Sequence, residues 1–216
     1  MHMLFDGDEG AAWTVLLAHG AGQPMDSPFM NHIAAGLAAR GEAADGLRVV
    51  RFEFPYMQAT RGDGRRRAPD AQPVLLDAFR EALAELVPEP AARRRTLVGG
   101  KSLGGRMASL LCDEMKAGGL ACLGYPFHPP GRPEQLRVKH LLTLATPALI
   151  CQGTRDPFGT PAEVAGYALP ASIRLHWLED GDHDFKPRKA SGRSERQNLD
   201  EAIDAMAAFA AALARR

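Results

Sequence analysis

The sequence predicts an α/β protein built on a doubly wound, mostly parallel sheet. Short segments with strand character alternate with helical ones along the whole chain. Most of the strand segments are continuous apolar runs, the mark of strands buried on both faces. Every residue with evident chemical potential falls in a loop that follows a strand, which is where open α/β sheets bind ligands.

The first such run is Trp13-Thr14-Val15-Leu16-Leu17-Ala18, and it leads into His19-Gly20-Ala21-Gly22. A glycine-rich turn at a strand's C-terminal end lets backbone N–H groups point into the crevice. Ser27 reads as an N-cap and Pro28 as the first position of a helix with Phe29, Ile33 and Leu37 on one face, closed by Gly41. A strand is expected over 47–54, stopped by Pro55. Residues 56–70 carry Arg61, Arg65, Arg66 and Arg67 among glycines and read as a long polar loop, its arginines a solvated cluster rather than a contact for an anionic substrate or partner. A helix is expected over 73–87, with Leu75, Leu76, Phe79, Leu83 and Leu86 inward and Pro88 and Pro90 ending it.

The centre of the chain is Gly100-Lys101-Ser102-Leu103-Gly104, between a strand expected over 95–99 and a helix over 102–116. Gly-x-Ser-x-Gly at such a junction is the pattern of a nucleophile elbow, a strained turn that lifts a hydroxyl above the sheet. The glycines sit where a side chain would strike a neighbouring strand or helix, and the serine lies at the positive end of the helix, where N–H groups can bind a developing anion. After Gly118-Gly119, a strand over 120–124 leads into Tyr125-Pro126-Phe127-His128-Pro129-Pro130, read as one wall of a cleft. A short helix is expected within 136–144. A strand over 147–152 runs into Gly153-Thr154-Arg155-Asp156-Pro157-Phe158-Gly159, which sets Asp156 just beyond a strand end. The last strand, 173–178, is followed by Gly181-Asp182-His183-Asp184. A final helix from 197 to the end carries the stripe Leu199, Ile203, Met206, Phe209 and Leu213. That makes about six core strands in one domain, 1–216.

Composition removes several function classes. With 216 residues, 45% of them hydrophobic, the chain fills one sizeable core rather than two. A formal net charge of zero gives no global field for nucleic acid or an anionic membrane. No apolar run approaches the roughly 20 residues of a membrane span, and the first residues lack the basic start and apolar stretch of a signal peptide. Cys112, Cys122 and Cys151 are odd in number, lie in apolar segments and show no metal-ligand spacing. This favours a reducing, cytoplasmic setting without a structural zinc.

With Ser102, Asp156 and His183 each after its own strand, and in that order, the chain resembles an α/β-hydrolase over nearly its whole length. Phe52-Glu53-Phe54-Pro55-Tyr56-Met57, Gly99-Gly100-Lys101-Ser102-Leu103-Gly104-Gly105-Arg106, Gly153 to Gly159 and Gly181-Asp182-His183 resemble the dienelactone-hydrolase-like branch that includes testis-expressed protein 30 and a regulatory subunit of a histone acetyltransferase complex. The resemblance implies Ser102 as nucleophile, His183 as its base and Asp156 as the acid that orients the imidazole. It implies the backbone N–H groups of Ala21 and Leu103 as the oxyanion hole. His19 reads as structural within the turn, and His176 lies within a strand. Asp182 and Asp184 are too close in sequence to His183 to orient it, and no further ligands complete a metal site around them. Tyr56, Met57, Phe127 and Phe158 are expected to line the cleft. Lys101 and Arg106 place positive charge near the elbow, for surface pairing or for recognition of an acidic substrate group. The connection from Gly124 to Pro147 leaves no room for a large helical cap. Only the segment around 3–5 stands in for the antiparallel strands that usually open the family's sheet. The expected activity is hydrolysis of small carboxylic esters or thioesters through an acyl-enzyme, with no cofactor and no metal. The alternative is a non-catalytic scaffold on the same fold with a vestigial site.

Overall fold

A computed structural model of the chain describes residues 2–215. Among these residues seven strands form one sheet: β1 (Met3–Asp6), β2 (Trp13–Ala18), β3 (Leu47–Phe52), β4 (Thr96–Lys101), β5 (Gly119–Leu123), β6 (Ala148–Gly153) and β7 (Ile173–Leu178). Their spatial order is β1-β3-β2-β4-β5-β6-β7. All neighbours pair in parallel except β1, which runs antiparallel along the edge of β3. The direction of winding reverses between β2 and β4, and the crevice above such a switch point is where this architecture binds ligands. The turn after β2 and the turn after β4 both open there.

Among the described residues six α-helices accompany the sheet: α1 (Pro28–Ala39), α2 (Pro55–Asp63), α3 (Gln72–Leu86), α4 (Leu103–Leu111), α5 (Pro161–Val164) and α6 (Glu195–Ala214). Alternate strand residues point to opposite faces, and two hydrophobic cores follow. Leu16, Val50, Val98 and Ile150 pack with Phe79 of α3 and Met107 of α4 on one face. Val15, Val49, Leu97 and Leu149 pack with Ile33 of α1 and Ile203 of α6 on the other. Ser27 caps α1 by accepting from Met30 N, as its position beside Pro28 requires. Among the described residues no helix is long and apolar enough to cross a membrane. Cys112, Cys122 and Cys151 are free and buried, and burial pushes the Cys112 and Cys151 thiols up to about 12.

Several boundaries differ from the sequence expectation. The expected polar loop over 56–70 begins instead as α2. Pro55 occupies its first turn, the Asp70 carboxylate accepts from Tyr56 N at 2.9 Å, and Gly64 closes it with φ 72°. Burial of Tyr56 and Met57 against the core anchors a helix whose remaining residues are exposed or half-buried. β3 ends at Phe52 rather than 54, because Phe54 is the N-cap of α2. β4 runs on to Lys101, which pairs with Leu123 of β5. α4 stops at Leu111 rather than 116. Asp113 turns away to accept from Ala145 N and Thr146 N, and Ala117 N closes the end on Cys112 O. The helix expected within 136–144 is one 3-10 turn, Leu141–Thr143, and α5 was not expected. No cap separates β5 from β6.

Candidate active site

Ser102 sits between β4 and α4 with φ 49° and ψ −108°, a backbone conformation that a residue with a Cβ rarely adopts. Such strain is of order 1–3 kcal/mol and persists only where its surroundings over-determine it. Here Ser102 N donates to Leu123 O at 2.9 Å and Arg106 N donates to Ser102 O at 3.0 Å, fixing the turn from both sides. The space is closed too: a Cβ on Gly104 would meet Ala18 O at 2.2 Å. The first N–H groups of α4, beginning with Leu103, have no carbonyl of their own helix to bond.

β6 and β7 bring the other two residues to the same place. His183 Nε2 lies 2.8 Å from Ser102 Oγ, and His183 Nδ1 lies 2.8 Å from Asp156 Oδ2. With Asp156 as a carboxylate, Nδ1 is the donor, which leaves Nε2 to accept from the serine hydroxyl. Asp156 is fully buried. Its Oδ1 accepts from Phe158 N at 2.9 Å, and its Oδ2 also accepts from Gln152 Nε2 at 2.9 Å. Gln152, on β6, is itself fixed because its Oε1 accepts from Tyr125 N at 2.7 Å. The sequence reading missed Gln152. The signal was an amide at the end of an otherwise apolar strand, since a buried amide must be hydrogen-bonded.

The neighbouring acids do not compete for His183. Asp182 Oδ1 accepts from Asp184 N and Lys186 N, shaping the turn, while Asp180 holds the Arg188 guanidinium. Lys101 runs under the same turn. Its Nζ donates to His183 O at 2.6 Å, lies 3.2 Å from Asp184 Oδ1 and sits 5.4 Å from the centroid of the Phe29 ring. Burial holds its ammonium below the ordinary lysine range, against the opposing pull of Asp184. The Phe158 ring covers His183 at 4.2 Å between centroids.

The turn after β2 forms the facing bank. His19 is buried. Its Nε2 accepts from Phe54 N at 3.1 Å, so its Nδ1 donates to Gly20 O at 2.7 Å. Burial keeps this imidazole below its usual range. Tyr56 OH donates towards the Gly20 and Ala21 carbonyls at 3.4 and 3.2 Å. Arg51 Nη1 donates to Met25 O at 3.0 Å, and Glu53 Oε1 accepts from Met25 N at 3.3 Å. The result is a small cleft of about 240 Å3 lined by Gly20, Ala21, Phe29, Lys101, Ser102, Phe158 and His183, among others.

Tyr56, Met57 and Phe127, expected to line this cleft, do something else. Phe127 is fully buried and packs between the tilted rings of Tyr125 and Tyr167, because the chain after β5 turns inward rather than over the site. Tyr56 supports the Gly20–Ala21 turn from below. Arg106, one helical turn beyond Ser102, donates to Gln72 Oε1 at 3.0 Å on the α3 side. Met57 lines an adjoining recess. Lys101 and Phe158 border the cleft.

A seven-stranded, mostly parallel sheet with a strained serine at the switch point and no cap between β5 and β6 is the lidless α/β-hydrolase architecture. The profile of the alpha/beta hydrolase domain matches residues 11–211, and the chain belongs to that family. Solved structures agree on the fold. A dienelactone hydrolase from Anabaena variabilis superposes with a TM-score of 0.67 at 22% identity, over 97% of this chain and 88% of that one. An α/β serine hydrolase without lid from Xanthomonas campestris gives 0.64 at 20% identity, over 94% and 88%. An α/β serine hydrolase homologue from Coxiella burnetii gives 0.62 at 19% identity, over 93% and 88%.

Proposed function

We propose that the chain is a serine hydrolase that cleaves small carboxylic esters or thioesters through an acyl-enzyme. The observation that carries this reading is the unbroken hydrogen-bonded line from Ser102 Oγ through His183 to the buried Asp156, with both contacts at 2.8 Å. A free serine hydroxyl is a weak nucleophile and needs an adjacent base. His183 Nε2 takes the Ser102 proton as Oγ attacks the substrate carbonyl. The oxygen of that carbonyl becomes an alkoxide, held by the N–H groups of Leu103 and Ala21. His183 then returns the proton to the departing alcohol or thiol. Water repeats the cycle on the acyl-enzyme and releases the acid. Asp156 stays ionised throughout, keeping the proton of the neutral imidazole on Nδ1 and stabilising the imidazolium.

The lidless opening and the small cleft favour short or partly exposed acyl groups over a fully enclosed lipid chain. The test is a fluorophosphonate, read by intact mass on the full chain with Ser102→Ala in parallel. Oγ displaces fluoride at phosphorus, so one adduct is expected in the wild type and none in the variant. A folded wild-type protein that takes no label would overturn the assignment and leave a scaffold role in its place.

A further inference from the structure

A second basin of about 450 Å3 adjoins the Ser102 cleft, and the two share Ala21 and Gly22 as a common rim. One side of the basin is apolar, formed by Pro24 and Met57. The other is formed by Arg61, Arg66 and Arg67. A further recess continues it around the same rim, again bordered by Arg66 and Arg67.

The three guanidiniums are not equivalent. Arg61 is tied to two carboxylates: Nη2 donates to Glu53 Oε1 at 2.6 Å and to Asp26 Oδ1 at 2.7 Å, and Nη1 donates to Asp26 Oδ2 at 3.0 Å. Arg67 is held by both oxygens of Asp63, at 2.7 and 2.6 Å. The remaining acid nearby, Asp70, accepts from Tyr56 N. Among the described residues no side chain pairs with Arg66, which is exposed and borders both recesses. Each carboxylate around the basin therefore has a partner, while one guanidinium fork stands open beside the rim of the Ser102 cleft. Such a fork matches a carboxylate or phosphate in shape as well as in charge.

Resting on the serine-hydrolase reading above, we propose that Arg66 and this basin bind the anionic end of the substrate. The substrate is then an acidic ester or thioester. Its carbonyl lies at Ser102, a short apolar spacer crosses the Ala21–Gly22 rim towards Met57 and Pro24, and its far end carries a carboxylate or phosphate. Arg61 and Arg67 serve as fixed walls, and Arg66 makes the recognition.

Two p-nitrophenyl esters of matched chain length, the glutarate half-ester and the pentanoate, test this on the full chain. The wild type is expected to favour the glutarate half-ester in kcat/KM by about tenfold, the scale of one charge-assisted contact. Arg66→Gln is expected to bring that ratio close to one, chiefly through KM, and raised salt to reduce it. Competition against the pentanoate by free glutarate and by inorganic phosphate distinguishes the two anions. No preference in the wild type, or an undiminished preference in Arg66→Gln, overturns the proposal. If the chain proves not to hydrolyse esters, calorimetric titration with glutarate and with phosphate still decides it. Saturable binding weakened about tenfold by Arg66→Gln supports the basin, and its absence overturns it.

Discussion

The two banks of the Ser102 cleft are held by different physics. On the β5–β7 bank, Asp156, Gln152 and the Tyr125 backbone form a buried network of hydrogen bonds to a single carboxylate. On the β2–β3 bank, the turn over 19–26 is gripped largely by charge, with Arg51 between Met25 and Asp6 and Arg61 between Glu53 and Asp26. The proposed chemistry accounts for the division. The line from serine to histidine to acid needs one geometry, and buried hydrogen bonds in low dielectric supply it. The opposite bank borders open recesses, where partly exposed ion pairs hold the turn and leave donors facing solvent. Arg61 is 43% exposed in its side chain while its partner Glu53 is 1% exposed, so that pair is half a buried contact and half a surface one.

The sharpest way to break the first bank is Asp156→Asn. Its amide keeps the shape but permits the wrong imidazole tautomer, and a loss of about 10^4 in kcat is expected with an intact fold, the scale known for this change in other triads. Steady-state kinetics beside a thermal melt checks it. Gln152→Leu comes next. It removes one donor to Asp156 and leaves Tyr125 N without its acceptor, so stability should fall by about 1–3 kcal/mol in denaturant titration. Turnover should fall with it, because the acid is no longer held from two directions. On the other bank, Glu53→Gln is expected to cost about 1–2 kcal/mol, because Asp26 still holds Arg61 and solvent screens the pair. Its diagnostic is salt. The stability gap between wild type and variant should narrow as ionic strength rises towards 1 M, where screening reaches about 3 Å.

The smallest effect is a pH signature on the first side. His140 lies 2.9 Å from Ser109 Oγ, and burial, aided by the nearby Arg106 charge, pulls its pKa down to about 4. The unfolded chain binds this proton at higher pH than the folded one, so stability is lost as pH falls from the ordinary value of 6.5 towards 4. His140→Gln should therefore lose less melting temperature than the wild type over that window. Asp26 shifts in the same direction but from a lower start: the Arg61 hydrogen bonds hold its pKa below 3.8, so its contribution disappears only at more acid pH. Acid should thus loosen the His140 side first, and salt the β2–β3 bank.

Much of this was legible in the sequence, for physical reasons. β2 and β7 were bounded correctly because continuous apolar runs ended by turn residues admit few other readings. The elbow was legible because glycine is the residue that fits where a neighbouring backbone comes within contact. The losses share a cause. α2 looked like loop because only Tyr56 and Met57 of its residues are buried, so it shows no full apolar stripe. Phe127 looked like a cleft wall because nothing in a short Pro-rich segment says whether an aromatic ring turns in or out. The split among Arg61, Arg66 and Arg67 depends on Glu53, Asp26 and Asp63 reaching them in space, which spacing along the chain does not reveal.

The buried cysteines have a practical consequence. With the Cys112 and Cys151 thiols near 12 and Cys122 well above its ordinary value, none presents an appreciable thiolate at neutral pH. Buried as they are, the three thiols are expected to react only slowly with maleimides in the folded chain. A single cysteine introduced at Thr60, which borders the Arg66 basin, would be the one position to take a dye, giving a fluorescent reporter of anion binding without removing any native residue elsewhere.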